Sequence, residues 1–149
     1  MTRPDISNAV RAVARHSHNP SAPNWKGVIK IISYLKGTFT YGIRFSRGLR
    51  SGIEAYADSD YAKSDDRRSI SRGLVLLGGP VLWFARTQKC VTLSTTGAKY
   101  VAISECVKEA IFMRNVLRFI QPDYSNLCIR VYEDSEGAIS VANNLLSSA

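Results

Sequence analysis

Two periodicities divide the chain. Up to about residue 37 the apolar residues recur every three or four positions; from Ile53 onward they first fall into short runs broken by turn residues. Ile6, Val10 and Val13 follow Pro4 at helical spacing and predict a helix to about His18. After the loop HNPSAPN, the residues Trp25, Val28, Ile29, Ile32 and Leu35 predict a second amphipathic helix ended by Gly37. Lys26, Lys30 and Lys36 fall outside its apolar stripe, as a surface face requires. FTYGIRFSRG then reads as a short strand and GLRSG as a flexible joint.

Beyond the joint, EAYADSDY reads as a strand. GLVLLG, VLWFAR and CVTLS follow closely, punctuated by GGP and RTQK, which predicts an antiparallel meander. Ser94-Thr95-Thr96 offers N-cap chemistry for a long helix. That helix carries one apolar stripe through Ala102, Cys106, Ala110, Met113 and Leu117 and another through Ile103, Val107 and Ile111, so it packs on more than one neighbour. LCIRVYED is a further strand, and SEGAISVANN starts another helix. The order predicts an α/β fold: a mixed sheet in which a helical crossover joins the meander to one parallel strand, with helices packed on it. Residues 1–52 form a basic helical extension and residues 53–149 the sheet domain.

The composition is that of an ordinary globular chain, 45% hydrophobic over 149 residues. No apolar run approaches a membrane span and no signal-peptide pattern opens the chain, so the expectation is an intracellular protein, cytoplasmic or nuclear, with no membrane partner. Cys90, Cys106 and Cys128 are odd in number and widely spaced, which fits reduced core thiols rather than a disulfide frame or a zinc site. The net charge of +8 belongs entirely to residues 1–52, with nine Lys/Arg against Asp5; residues 53–149 hold eleven of each sign. Such a segment suits a polyanion such as nucleic acid, and equally a solvated helix surface.

Asp58 and Asp60 stand two apart on a predicted strand and share a face. Asp134 ends the last strand. If the two strands pair, Asp58 and Asp134 meet at one sheet edge, where open α/β sheets hold their ligands. Converging carboxylates are what a pair of Mg²⁺ ions needs for in-line attack on a phosphodiester. The first turn of the long helix faces that edge, but it carries no acid, and Lys99 stands there as a cation. Glu133, beside Asp134 on a strand, is expected to point to the opposite face. Arg67, Arg68 and Arg72 suit either a phosphate backbone or a solvated turn paired with Asp65 and Asp66. His16 and His18 read as surface residues, Ser94 and Ser104 lack a base, and of Trp83 and Phe84 at least one belongs to the core.

YADSDYA (56–62), DDRRSISRG (65–73), LGGPVLWF (77–84), LSTTGAKYVAISECVKEAIFMR (93–114) and YEDSEGAI (132–139) closely resemble the RNase H domain of copia-type LTR retrotransposon polyproteins. TRPDISNAV (2–10), NWK (24–26) and YLKGT (34–38) resemble the end of the adjoining reverse transcriptase and its connection. The resemblance spans nearly the whole chain. It implies an RNase H-like fold, Mg²⁺ as cofactor, an ancestral activity of cutting RNA in RNA–DNA hybrids, and nucleic acid (hybrid or RNA) rather than a small molecule as partner. It places the family's first metal-binding aspartate at Asp58 and that of the later strand at Asp134. The glutamate expected in the first helical turn falls on Lys99, and a preceding glutamate on Gly97. The fourth acidic ligand, expected beyond the second helix, has no counterpart before Ala149. An ammonium at position 99 is expected to reach toward Asp58 or Asp134, so that Mg²⁺ binds weakly and cleavage is impaired. Gly97 is expected to fray the helix start or delay it by one residue. If the domain has become a binding module for nucleic acid or a protein, Lys26, Lys30 and Arg44, with Arg67 and Arg68, are its candidate contacts.

Overall fold

The structure, a computed structural model, describes residues 3–45, 52–64, 66–122 and 127–144. The chain divides into two units, Met1–Arg44 and Phe45–Ala149. The contacts part at Arg44, ahead of the GLRSG joint, of which all but Gly52 lies outside the described residues.

In the first unit a 3-10 turn at Pro4–Ile6 leads into α1 (Ser7–Ala14), and α2 spans Ala22–Gly37. Proline in the first turn of each pre-sets helical φ where no hydrogen bond is lost. Arg3 closes the unit: its guanidinium forks onto Asp5 and donates to the Thr38 carbonyl at 2.9 Å, tying the start of the unit to the end of α2. The helices meet at Gly27, where a Cβ would lie 2.9 Å from Val13 Cγ1. Gly27, Val28, Ile31 and Leu35 therefore form the half-buried side of α2. The expected stripe is corrected on this point: Trp25, Ile29 and Ile32 lie on an exposed side of α2, because contact with α1 selects the neighbouring face. The expected strand FTYGIRFSRG is also corrected over its described part. Residues 39–45 form a turn and irregular chain, since the first unit offers no second strand to pair with.

The second unit is built on four strands, β1 (Ile53–Asp60), β2 (Ile70–Leu76), β3 (Pro80–Thr87) and β4 (Ile129–Tyr132), in the order β3-β2-β1-β4. β1 and β2 pair antiparallel, as do β2 and β3, while β4 lies parallel to β1. The crossover is α3 (Thr95–Ile120), and α4 (Glu136–Asn144) packs on it. The meander has three strands rather than four. CVTLS is drawn into the connection to α3, where Ser94 already serves as N-cap, and Leu93 stands fully in solvent. Ser94 Oγ accepts from Gly97 N at 3.0 Å, so α3 begins at Thr95 despite the glycine, without the expected fraying or delay.

The core lies between the sheet and α3: Ile53, Ala55 and Ala57 from β1, Val75 and Phe84, Ile103, Cys106 and Ala110 from α3, and Ala138 from α4. The small side chains allow close approach, so that Cys106 Sγ reaches the Tyr56 carbonyl at 3.4 Å. Burial pushes the Cys106 thiol up to about 11. Cys90 and Cys128 are exposed, which corrects the expectation of three core thiols. Of Trp83 and Phe84, Phe84 is buried, and it packs over Gly73, where a Cβ would sit 2.2 Å from its ring. Gly52 has φ +78° and passes so near β4 that a Cβ would lie 2.5 Å from the Cys128 carbonyl oxygen. The bond from Ile53 N to that oxygen, 2.9 Å, starts the parallel pairing.

One buried side chain fixes the start of α3 against the sheet. Gln88, fully buried after β3, donates from Nε2 to Ser71 Oγ at 3.0 Å and to the Ala98 carbonyl at 2.8 Å. Gln88→Leu removes both donations from a buried site and is expected to cost about 1–3 kcal/mol in urea unfolding. Gln121→Leu, at the exposed end of α3, is the control and should change little.

Candidate functional site

Three chain segments converge at one edge of the sheet. Asp58 lies near the C-terminal end of β1. β4, parallel beside it, ends at Tyr132 and delivers Glu133 and Asp134. Lys99 follows Ala98, which Gln88 pins, in the first turns of α3. Lys99 Nζ donates to Asp58 Oδ1 at 3.1 Å, to Glu133 Oε1 at 2.9 Å and to Asp134 Oδ1. Oxygens of the three carboxylates lie within 4.8 Å of one another. They line a cleft of about 340 Å³ with Ala57 and the rings of Tyr56 and Tyr132, which stack at 4.7 Å between centroids.

The members differ in hydration. The Glu133 side chain is 2% exposed, Lys99 18% and Asp134 81%. Glu133 therefore carries the desolvation of the site. Burial raises its pKa, with a contribution from Asp134 in the same direction, while the Lys99 ammonium opposes both. The Asp134 carboxyl is held below its ordinary range by its hydrogen bond with Glu133, then by Lys99. For Lys99 burial disfavours the charge, but the three carboxylates outweigh it and the pKa rises.

The structure thus places Asp58, Lys99 and Asp134 together. The sequence reading missed Glu133, which turns into the cluster instead of pointing to the opposite face. The reason is that β4 stops at Tyr132, so strand alternation no longer applies at Glu133, whose Oε1 accepts from Asp134 N and Ser135 N. A signal was present: Ser135 Oγ accepts from Ala138 N as a helix cap, so the strand had to end before it. Asp60 shares the Asp58 face but is held by Arg72, which also lies 3.5 Å from Asp58 Oδ2. Arg68 pairs with Asp66 at 3.1 Å, and Arg67 turns the chain at φ +59°, both exposed; Asp65 lies outside the described residues. Lys26, Lys30 and Arg44 are exposed in the other unit.

As a donor set, three carboxylates have the hard oxygen chemistry that Mg²⁺ requires. The full residue set does not fit the ion, because the ammonium of Lys99 stands among the carboxylates and donates to each of them. Among the described residues no helix is long and apolar enough to cross a membrane.

The chain is 37% identical, over 99% of its length, to the retrovirus-related Pol polyprotein from transposon TNT 1-94 of Nicotiana tabacum. It is 31% identical, over 96% of its length, to the Pol polyprotein from transposon RE2 of Arabidopsis thaliana. It spans only 11% and 10% of those two polyproteins. It is also 36% identical to the secreted RxLR effector protein 161 of Plasmopara viticola, over 76% of this chain and 81% of that protein. No protein-family model and no solved structure matches.

Lys99→Met retains most of the side-chain volume and removes the counter-charge from three facing carboxylates. The variant is expected to lose roughly 1–3 kcal/mol at neutral pH, less than a fully buried pair because Lys99 and Asp134 touch solvent. Lys99 has a raised pKa, so its contribution is complete below the ordinary lysine value and disappears only as pH rises through the raised one. Below neutrality, protonation relieves the repulsion in the variant. Thermal melts at a series of pH values should show the gap from wild type narrowing toward about pH 4.

Proposed function

Since the chain belongs to the family of copia-type retrotransposon Pol polyproteins, we propose that its second unit is an RNase H-like domain that has exchanged its catalytic metal for a lysine. The mixed sheet with order β3-β2-β1-β4 and the α3 crossover support the fold assignment. The ancestral reaction is hydrolysis of RNA in an RNA–DNA hybrid, in which bound Mg²⁺ supplies charge stabilisation and an activated water. The single observation carrying the proposal is the triple bonding of Lys99 Nζ to Asp58, Glu133 and Asp134. A cation fixed to the protein bridges the carboxylates but offers no open coordination position. The domain retains the architecture and does not cut.

A second reading, a non-catalytic module that holds RNA–DNA hybrid, RNA or a protein partner, draws on the first unit. There seven Lys/Arg face one acid, Asp5, and Lys26, Lys30 and Arg44 are exposed. Replacing these three by Gln should weaken hybrid binding and flatten its salt dependence.

Purified protein with Mg²⁺ or Mn²⁺ and a labelled RNA–DNA hybrid is expected to give no turnover above an Asp58→Asn control; turnover above that control ends the proposal. Lys99→Glu tests the site independently. It should bind Mn²⁺ by titration calorimetry where wild type does not. Equal Mn²⁺ binding by the two proteins contradicts the assignment of Lys99 as the occupant.

A further inference from the structure

The exposed side of α2 has a composition that its packing does not explain. Trp25, Ile29, Ile32 and Lys36 recur at spacings of four, three and four, and so form one stripe along the helix. Trp25 is 63% exposed, and Ile29 and Ile32 are also exposed. α1 occupies a different side of α2, where Val13 meets Gly27. From Trp25 to the end of α2 at Gly37 the stripe runs about 18 Å at helical rise. Just beyond it, Phe39 and Tyr41 stand 82% and 64% exposed, and the Arg3 guanidinium lies 6.0 Å from the Tyr41 ring centroid. Lys36 lies on the stripe itself, Lys26 and Lys30 lie further round the same helix, and Arg44 follows Tyr41 by three residues; all four are exposed. Three exposed large apolar side chains in one row, with two exposed rings just beyond, are the pattern of a candidate interaction face.

Charge selects the partner. Residues 1–44 contain seven Lys/Arg and a single acid, Asp5, which Arg3 already engages. A cationic surface interleaved with flat, solvent-facing aromatic rings matches a single-stranded nucleic acid, which presents phosphates and unstacked bases together. A duplex buries its base faces and needs only the cations. We propose that this side of the first unit binds single-stranded nucleic acid, with Trp25 stacking on a base and Lys26, Lys36 and Arg44 meeting the phosphates. The inference takes its partner class from the second reading above; the stacking mode and the preference for single strands are its own content, independent of the Lys99 site.

The test is fluorescence anisotropy with the full chain and a labelled oligouridine of about twelve nucleotides, against an RNA–DNA hybrid duplex of equal length. Three or four phosphate contacts predict a slope of log K against log salt of about −2 to −3 for the single strand. Trp25→Leu retains apolar contact and removes the ring; it should weaken oligouridine binding roughly tenfold and leave hybrid binding unchanged. Trp25→Phe should restore most of the affinity. Trp25 is exposed, so circular dichroism of both variants should match wild type. The inference fails if Trp25→Leu binds oligouridine like wild type. It also fails if the hybrid is preferred, or if anionic vesicles are bound and oligouridine is not. Retained hybrid binding with no role for Trp25 would remove the stacking site while leaving the second reading intact.

Discussion

The ammonium of Lys99 is the constraint on which the second unit turns. The fold brings Asp58, Glu133 and Asp134 within 4.8 Å of one another, from the ends of two parallel strands. At an effective dielectric of 20, Lys99 and the buried side chain of Glu133 attract by about 5 kcal/mol at about 3 Å, whereas water screens the exposed Asp134 and half-exposed Asp58 and weakens their share. The desolvation of Glu133 and the partial burial of Lys99 offset much of that gain. The residual matters less than the alternative, which is three facing carboxylates with no cation among them. In this chain the cation is covalently part of α3, so the same interaction that bridges the carboxylates also ties the helix start to β1 and to the residues after β4. Gln88 reinforces the link from within, through the Ala98 carbonyl, one residue from Lys99.

Much of this was legible in the sequence, and the parts that were not share a cause. The long helix, its Ser94 cap, the strands of the sheet and the parallel return of the last strand follow from periodicity and turn chemistry, which are local. So does the meeting of Asp58 and Asp134, once the crossover makes their strands neighbours. The misreadings arose where tertiary context overrides local pattern. The described part of FTYGIRFSRG, residues 39–45, has strand-forming residues, but no strand stands among the described residues of the first unit to pair with it. CVTLS alternates like a strand, yet it lies where the chain must leave the sheet to start α3. Trp25, Ile29 and Ile32 satisfy a helical stripe as well as Val28, Ile31 and Leu35 do, and only the position of α1 separates them. Glu133 was assigned by strand alternation one residue after the strand had ended, an error of a single position that reverses the direction of a side chain.

The acidic stretch EAYADSDYAKSDD, read alone, suggests either a metal site or a charged surface, and the structure places three of its acids in ion pairs. Asp60 belongs to Arg72, which is opposite Asp58 in the β1–β2 register; Asp66 belongs to Arg68; Asp58 lies between Arg72 and Lys99. Cross-strand pairing thus accounts for charges that a count of acidic residues would assign to metal binding. Where β1 and β4 end together carboxylates outnumber cations: Asp58, Asp60, Glu133 and Asp134 face Lys99 and Arg72.

That surplus has a consequence for any polyanion. Divalent ions at such an edge reverse the sign of the local field, and a phosphate can then approach carboxylates that would otherwise repel it. A lysine neutralises only one of three, so the edge stays acidic and cannot itself hold a phosphodiester. On the proposed reading, affinity for nucleic acid comes from cations elsewhere, on the Arg67–Arg68 turn and on the first unit. Binding and cutting therefore differ in fragility. Binding sums many exposed charges and survives the loss of any one, whereas cutting depends on a complete ligand set and is abolished by one substitution at its centre. On the proposed reading, Lys99 removes catalysis while the exposed cations of the first unit, Lys26, Lys30 and Arg44, remain.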